Sequence, residues 1–274
     1  MIVVTGATGN VGKPLVEALA GAGEQVTAVA RTLPEDIPAG VRGVAADLTT
    51  PSTLRPAFEG AKALFLLTAP DLLKPGAGID DILVEAKSAG IARVVLLSSL
   101  GVVTGRHPDV FEDAIRESGL AWTILRPGNF ASNAWQWAEQ VRRNREIAAP
   151  FGDVGLPAVD PTDIAEVAVA VLRGDGHDGQ AYVLTGLETI SPRQQAAVFA
   201  GEIGEPVEFR ELSRDTAFRH MSEFMPEQVV RSTLDILGTP TEAETRISPD
   251  VERILGRAPR PFAEWVRRNG AAFR

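Results

Sequence analysis

The chain predicts an α/β fold in which a doubly wound parallel sheet is covered by helices on both faces. Three observations lead there. The short strands of the first 125 residues are apolar throughout, as in Ala63-Leu64-Phe65-Leu66-Leu67, which is what strands buried on both faces require. They alternate with longer segments of helical periodicity, the βαβα order of a parallel sheet. The first strand also runs directly into a glycine-rich turn, Thr5-Gly6-Ala7-Thr8-Gly9-Asn10-Val11-Gly12, that opens a helix.

Taken in order, Ile2-Val3-Val4 is a β-branched strand, and Val11 to Ala22 puts Val11, Leu15, Ala18 and Leu19 on one helical stripe. Gln25–Ala30 and Val41–Ala45 read as the second and third strands, and 63–67 as the fourth. A helix over Asp80–Ala89 leads to a strand at Val94–Leu97, and a helix over Val110–Ser118 to a strand at Trp122–Leu125. Asp80 and Asp81 fit a helix start rather than a paired-acid site. Beyond residue 127 the character changes. A Trp-rich helix is expected over Ala131–Arg145, with Trp135 and Trp137 on different faces. Asp160-Pro161 then has the N-cap and first-turn chemistry of a helix running to Arg173. Tyr182-Val183-Leu184 reads as a late strand, and Arg142-Arg143 and Arg267-Arg268 as solvated faces. The division expected is a dinucleotide-binding domain over 1–127 and a smaller α+β lobe over 128–274, interleaved with the sheet edge.

Composition narrows the function. With 27 basic and 36 acidic residues the net charge is −9, an unfavourable overall field for nucleic acid, so no direct nucleic-acid partner is expected. The absence of cysteine excludes disulfides, thiol nucleophiles and cysteine metal sites. The three histidines, His107, His177 and His220, are too scattered for a metal site. No apolar run approaches the length of a membrane span, and the N-terminus shows no secretory pattern, so a cytoplasmic location is expected.

The turn carries the main functional signal. Glycines at 6, 9 and 12, after a strand and before a helix, allow a tight turn, backbone approach to a pyrophosphate and close helix–strand packing. Free N–H groups at the helix start then meet phosphate charge, which makes Gly6, Thr8, Gly9, Asn10, Val11 and Gly12 candidate cofactor-binding residues. The acid that bonds a ribose 2′-hydroxyl in NAD enzymes is missing after the second strand. Arg31 stands there instead, and a guanidinium suits a 2′-phosphate, so NADP(H) is expected over NAD(H). Asp47 and Leu48 are candidates for the adenine, and Thr68, Ala69 and Pro70 for the path toward the nicotinamide ribose.

These segments, together with Leu-Ser-Ser at 97–99 and Ser-Gly-Leu-Ala-Trp-Thr-Ile-Leu-Arg-Pro at 118–127, resemble the NmrA-like branch of the atypical short-chain dehydrogenase/reductases. Phe130, Asn133, Asp163-Ile164-Ala165 and Gly256-Arg257-Ala258-Pro259 with Phe262 continue the pattern over nearly the whole chain. The resemblance implies a Rossmann-like fold binding NAD(P), with a substrate cleft beside a small C-terminal lobe. It implies one of two roles, an NADPH-using reductase or a non-catalytic NADP(H) sensor with a regulatory protein partner. A homodimer stays open alongside these.

The usual short-chain dehydrogenase/reductase protonates its product with a tyrosine assisted by a lysine four residues later. Here Tyr182 is the only tyrosine, Gly186 lies four residues beyond it, and Leu100–Ile115 holds neither tyrosine nor lysine. All four lysines lie before residue 90. His107, aided by Ser98, is the candidate general acid or substrate-orienting donor, since an imidazole exchanges protons near neutral pH. Ser98, Pro127, Asn129 and Phe130 are candidates for the nicotinamide end. A quinone or enone relaxes the need for a strong acid, so a small electron-poor acceptor is the expected substrate.

Overall fold

The computed structural model describes residues 1–67, 70–73 and 78–274. In chain order the strands are β1 Ile2–Thr5, β2 Val26–Ala30, β3 Val41–Ala45, β4 Ala63–Leu67, β5 Arg93–Leu97, β6 Ala121–Pro127, β7 Asn129–Phe130, β8 Glu146–Ala149, β9 Leu156–Val159, β10 Gln180–Leu184, β11 Thr189–Ile190 and β12 Glu208–Glu211. The α-helices are α1 Gly12–Gly21, α2 Arg55–Phe58, α3 Asp80–Ser88, α4 Leu100–Val103, α5 Val110–Glu117, α6 Ala138–Asn144, α7 Pro161–Arg173, α8 Pro192–Ile203, α9 Arg214–Ser222, α10 Glu227–Gly238, α11 Glu242–Thr245, α12 Asp250–Leu255 and α13 Phe262–Asn269.

Seven parallel strands form the central sheet in the order β10-β6-β5-β4-β1-β2-β3. The reversal of direction between β1 and β4 is the switch point at which doubly wound sheets bind ligands beyond their carboxyl ends. Val3, Val4, Leu64, Phe65, Val94 and Val95 are buried on β1, β4 and β5, so the unbroken apolar runs match burial on both faces. Phe58, Ile82, Ile115 and Ile124 close one of those faces. Strand β3 is an edge and has only exposed and half-buried positions, and the opposite edge, β10, likewise carries exposed residues. Within α1, Leu15, Val16 and Leu19 are buried while Ala18 is only half-buried, a small rotation of the expected stripe.

The chain divides into two compact units. One holds Met1–Pro127, Pro161–Leu184 and Asp250–Gly256; the other holds Gly128–Asp160, Thr185–Pro249 and Arg257–Arg274. Two stretches of 128–274, Pro161–Leu184 and Asp250–Gly256, thus return to the unit that holds the sheet. The first return supplies β10, which pairs with β6, and α7, which packs on α1.

Two elements of the second unit depart from expectation. Residues 131–137 wind as a 3₁₀ helix, and α6 follows only from Ala138. Three residues per turn align Ala131, Ala134 and Trp137, and all three are buried. Trp135 is exposed and covers the edge of the neighbouring core, stacking on Phe273 at 5.2 Å and meeting Trp265 edge-on at 5.3 Å, beside Phe199 and Phe262. Arg267 and Arg268 are not simply solvated. Arg267 pairs with Glu202, and Arg268 donates to the buried carboxylate of Asp160.

Candidate functional site

Strand β1 delivers the chain into the glycine turn, and Thr5 ties that end of the strand to β4. Its hydroxyl donates to the Phe65 carbonyl (3.1 Å) and accepts from the Leu67 amide (2.8 Å). Gly6 takes φ +62°, and a Cβ on it would lie 2.3 Å from Leu67 Cδ2. Gly12 lets α1 start against the turn, since a Cβ there would lie 2.1 Å from the Gly6 carbonyl oxygen. The turn closes through a bond from the Gly9 amide to that same oxygen (3.0 Å).

The start of α1 is built for an anion. Val11 occupies the N-cap position with no side-chain cap, and the first turn carries no acidic residue. In the first turn the Lys13 amide donates to the Gly9 carbonyl (3.0 Å) and Pro14 has no N–H, so the anion-binding character of this end rests on the helix dipole and the amides of the turn ahead of it. Thr8, Gly9 and Asn10 are exposed before this end, while Ala7 and Val11 are buried and anchor the turn. A dinucleotide pyrophosphate fits this cradle by shape and by charge.

Arg31, one residue past β2, is exposed, and among the described residues it forms no ion pair. Its charge is felt at Asp47. The Asp47 carboxylate accepts from the Thr49 amide (2.9 Å) and the Thr49 hydroxyl (2.8 Å). Those bonds, with Arg31 adding a smaller attraction, hold the carboxyl below its ordinary range against a weak opposing effect of burial. Leu48 is half-buried and packs on the sheet core. Thr68 and Ala69 lie outside the described residues, and Pro70 begins a short 3₁₀ turn. Pro127 ends β6 in the first unit, whereas Asn129 and Phe130 belong to the second, where they form β7 against β9. The Asn129 side-chain carbonyl there accepts from Asn133 Nδ2 (2.9 Å).

At the carboxyl end of β5 the expected partnership of Ser98 with His107 is replaced by another. Ser98 donates to Glu112 Oε1 (2.7 Å). His107 Nδ1 instead meets the hydroxyl of Ser99 (3.1 Å). Successive residues in extended backbone point to opposite sides, so adjacent serines serve different partners. Glu112, only 1% exposed, also receives Arg126 through Nε (2.9 Å) and Nη2 (2.5 Å), and Arg116 Nη2 (2.7 Å). Burial would raise its carboxyl, but the bonds from Arg126, Ser98 and Arg116 outweigh that and hold it below the usual carboxylate range. Ser98 is thereby committed as a donor inside the protein.

Tyr182 is buried, with its hydroxyl 2.8 Å from His177 Nδ1. Burial, reinforced by the charge of Arg93, pushes the His177 imidazole below its ordinary value, and burial pushes the Tyr182 phenol up. This pair is a packed structural contact with no lysine in it. Among the described residues no acidic or histidine cluster could hold a metal, and no helix is long and apolar enough to cross a membrane.

Fold and cradle together define a Rossmann-like dinucleotide-binding protein. The chain belongs to the NAD(P)H-binding family, whose profile matches residues 6–175, from the first glycine of the cradle to just past α7. Among curated proteins it is 36% identical to the (4-alkanoyl-5-oxo-2,5-dihydrofuran-3-yl)methyl phosphate reductase of Streptomyces griseus, over 100% of this chain and 99% of that one. It is 31% identical to the NAD(P)H azoreductase of Xenophilus azovorans, again over 100% and 99%. The fold matches Escherichia coli NADPH-dependent quinone oxidoreductase QOR2 complexed with NADPH, with a TM-score of 0.80, 24% identity and coverage of 98% and 100%. It also matches the negative transcriptional regulator NmrA in complex with NADP, with a TM-score of 0.74, 21% identity and coverage of 97% and 94%. These solved structures share the Rossmann-like fold that the sequence motifs lead one to expect.

Proposed function

We propose that this protein is an NADPH-dependent oxidoreductase that transfers hydride to a small, flat, electron-poor acceptor such as a quinone or enone. The observation that carries the reading is the uncapped, acid-free start of α1 behind Gly6, Gly9 and Gly12. The full-length likeness to two proteins named as reductases supports chemistry at that cofactor rather than binding alone.

The pyrophosphate is assigned to Gly6, Thr8, Gly9, Asn10, Val11 and Gly12, and the 2′-phosphate to Arg31, whose guanidinium has no competing ion pair among the described residues. Asp47 and Leu48 flank the adenine. When bound, the reduced dinucleotide supplies the hydride. Ser98 holds the end of β5 to Glu112, which leaves His107 as the proton donor for the reduced acceptor. An acceptor whose reduced form is a weak base suits a site that lacks the tyrosine–lysine pair.

A second reading, a non-catalytic NADP(H) sensor, draws on the commitment of Ser98 to Glu112 and on the burial of Tyr182 against His177. Titration calorimetry with NADPH, NADP⁺ and NADH, followed by NADPH oxidation with a panel of quinones and enones, separates the two. The reductase reading expects tight NADPH, weaker NADH and acceptor-dependent oxidation. Selectivity for NADP⁺ over NADPH, with no turnover across the panel, would replace it with the sensor.

A further inference from the structure

His107 is exposed, yet the protein holds it from three sides. Its amide donates to the Gly101 carbonyl (2.9 Å), and its ring Nδ1 lies 3.1 Å from Ser99 Oγ. Its ring also lies flush on Gly101, where a Cβ would come within 2.5 Å of Nδ1 and 2.8 Å of Cγ. Ser99 lies two residues past β5, and only β4 separates β5 from β1 in the sheet. At about 4.8 Å per strand, this places the pair roughly 10 Å along the carboxyl edge from the glycine cradle.

We propose that Ser99 and Gly101 are positioning residues that fix the His107 ring with Nε2 outward, as the proton donor to the reduced acceptor; this rests on the reductase reading above. The Ser99 oxygen accepts the Gly101 amide (3.0 Å), and among the described residues the acceptor that its hydroxyl hydrogen meets is Nδ1 of the neutral ring. That arrangement places the ring's own hydrogen on Nε2. In the protonated ring Nδ1–H donates back to the same oxygen, and Nε2–H still faces outward. In the transfer the Nε2–H bond breaks and an O–H or C–H bond forms on the acceptor, whose new electron pair arrived with the hydride of the reduced dinucleotide. The donor is the protonated ring, which is left neutral with its hydrogen on Nδ1 facing the Ser99 oxygen, and a proton from water returns to Nε2.

The test is ¹⁵N NMR of the ring nitrogens in the full-length protein, in buffer alkaline enough to keep histidines neutral, with His107→Ala assigning the signal. The wild type is expected in the Nε2–H form. Ser99→Ala should convert it to a mixture of tautomers, and Ser99→Thr should restore it. Gly101→Ala should displace the ring without deleting it. Both Ser99→Ala and Gly101→Ala should lower acceptor turnover about tenfold, the scale of one hydrogen bond, with the NADPH dissociation constant unchanged. Identical tautomer populations in wild type and Ser99→Ala, or undiminished turnover in both variants, would overturn the assignment. If the wild type oxidises NADPH with no acceptor, the reductase reading falls and the donor role falls with it. In that case the ring signals still report whether Ser99 sets the tautomer.

Discussion

Replacing Glu112 with leucine should cost the protein about 3–4 kcal/mol. The carboxylate is 1% exposed and takes four hydrogen bonds, two from Arg126, one from Arg116 and one from Ser98. Deleting one partner of a buried ion pair costs about 3–5 kcal/mol because the other charge is left uncompensated. The Arg126 side chain keeps 19% exposure, so water recovers part of that cost and the lower half of the range applies. Arg116 adds little, since it is one-third exposed and retains Asp113 at 2.8 Å. Equilibrium urea unfolding supplies the number, read as the shift in midpoint at constant slope. The double variant Glu112→Leu/Arg126→Met should recover most of the loss, because it removes both charges. The sign with pH follows from the depressed carboxyl. Glu112 stabilises the folded state above its unfolded value of about 4.3, and that contribution fades as pH falls through the lower folded value. The gap between wild type and Glu112→Leu should therefore close in acid. A loss below about 1 kcal/mol at pH 7, or a gap that does not vary with pH, would show that the cluster does not hold the ends of β5 and β6 together.

Three further outcomes follow from the same structure. Gly12→Ala forces a Cβ against the Gly6 carbonyl and should abolish NADPH binding by calorimetry, whereas Gly21→Ala at the open end of α1 should add roughly 0.4–1 kcal/mol in urea unfolding. Arg31→Ala should weaken NADPH about tenfold or more while leaving NADH within about twofold, the expected scale for one charge-assisted contact to a phosphate; equal losses for both would remove Arg31 from the 2′-phosphate. Burial, and to a lesser degree Arg93, lower the pKa of the His177 imidazole in the folded protein, so the unfolded chain binds its proton first as pH falls. Stability should decline from about pH 6.5 downward, and His177→Phe should flatten that slope in thermal melts taken across the range.

How much of this was legible depended on whether a feature is local. The apolar runs of β4 and β5 could only be buried strands, and the spacing of Gly6, Gly9 and Gly12 carries its own geometric reason, so sheet and cradle were readable residue by residue. Parity at the end of β5 was not. Ser98 and Ser99 look equivalent in the sequence, and only the pleat decides that one meets Glu112 and the other His107. Glu112 reads as one more acid on a charged helix, because its partner Arg126 is 14 residues away and brought near by sheet pairing. The one local hint was Ser99 ahead of Leu100-Gly101, the chemistry of an N-cap. The 3₁₀ winding of 131–137 likewise answers to Phe273 and Trp265, more than a hundred residues downstream.

The chain passes between its two units at 127/128, 160/161, 184/185, 249/250 and 256/257. Neither unit can therefore be excised as one stretch of gene. A fragment ending at Pro127 would leave β6 as a raw sheet edge and strip α1 of the helix that covers it, exposing apolar surface that invites aggregation. During synthesis the sheet cannot be completed until Leu184 has emerged, so a ribosome-bound chain halted near residue 150 should remain open to proteases, although every residue of the dinucleotide cradle has already been made.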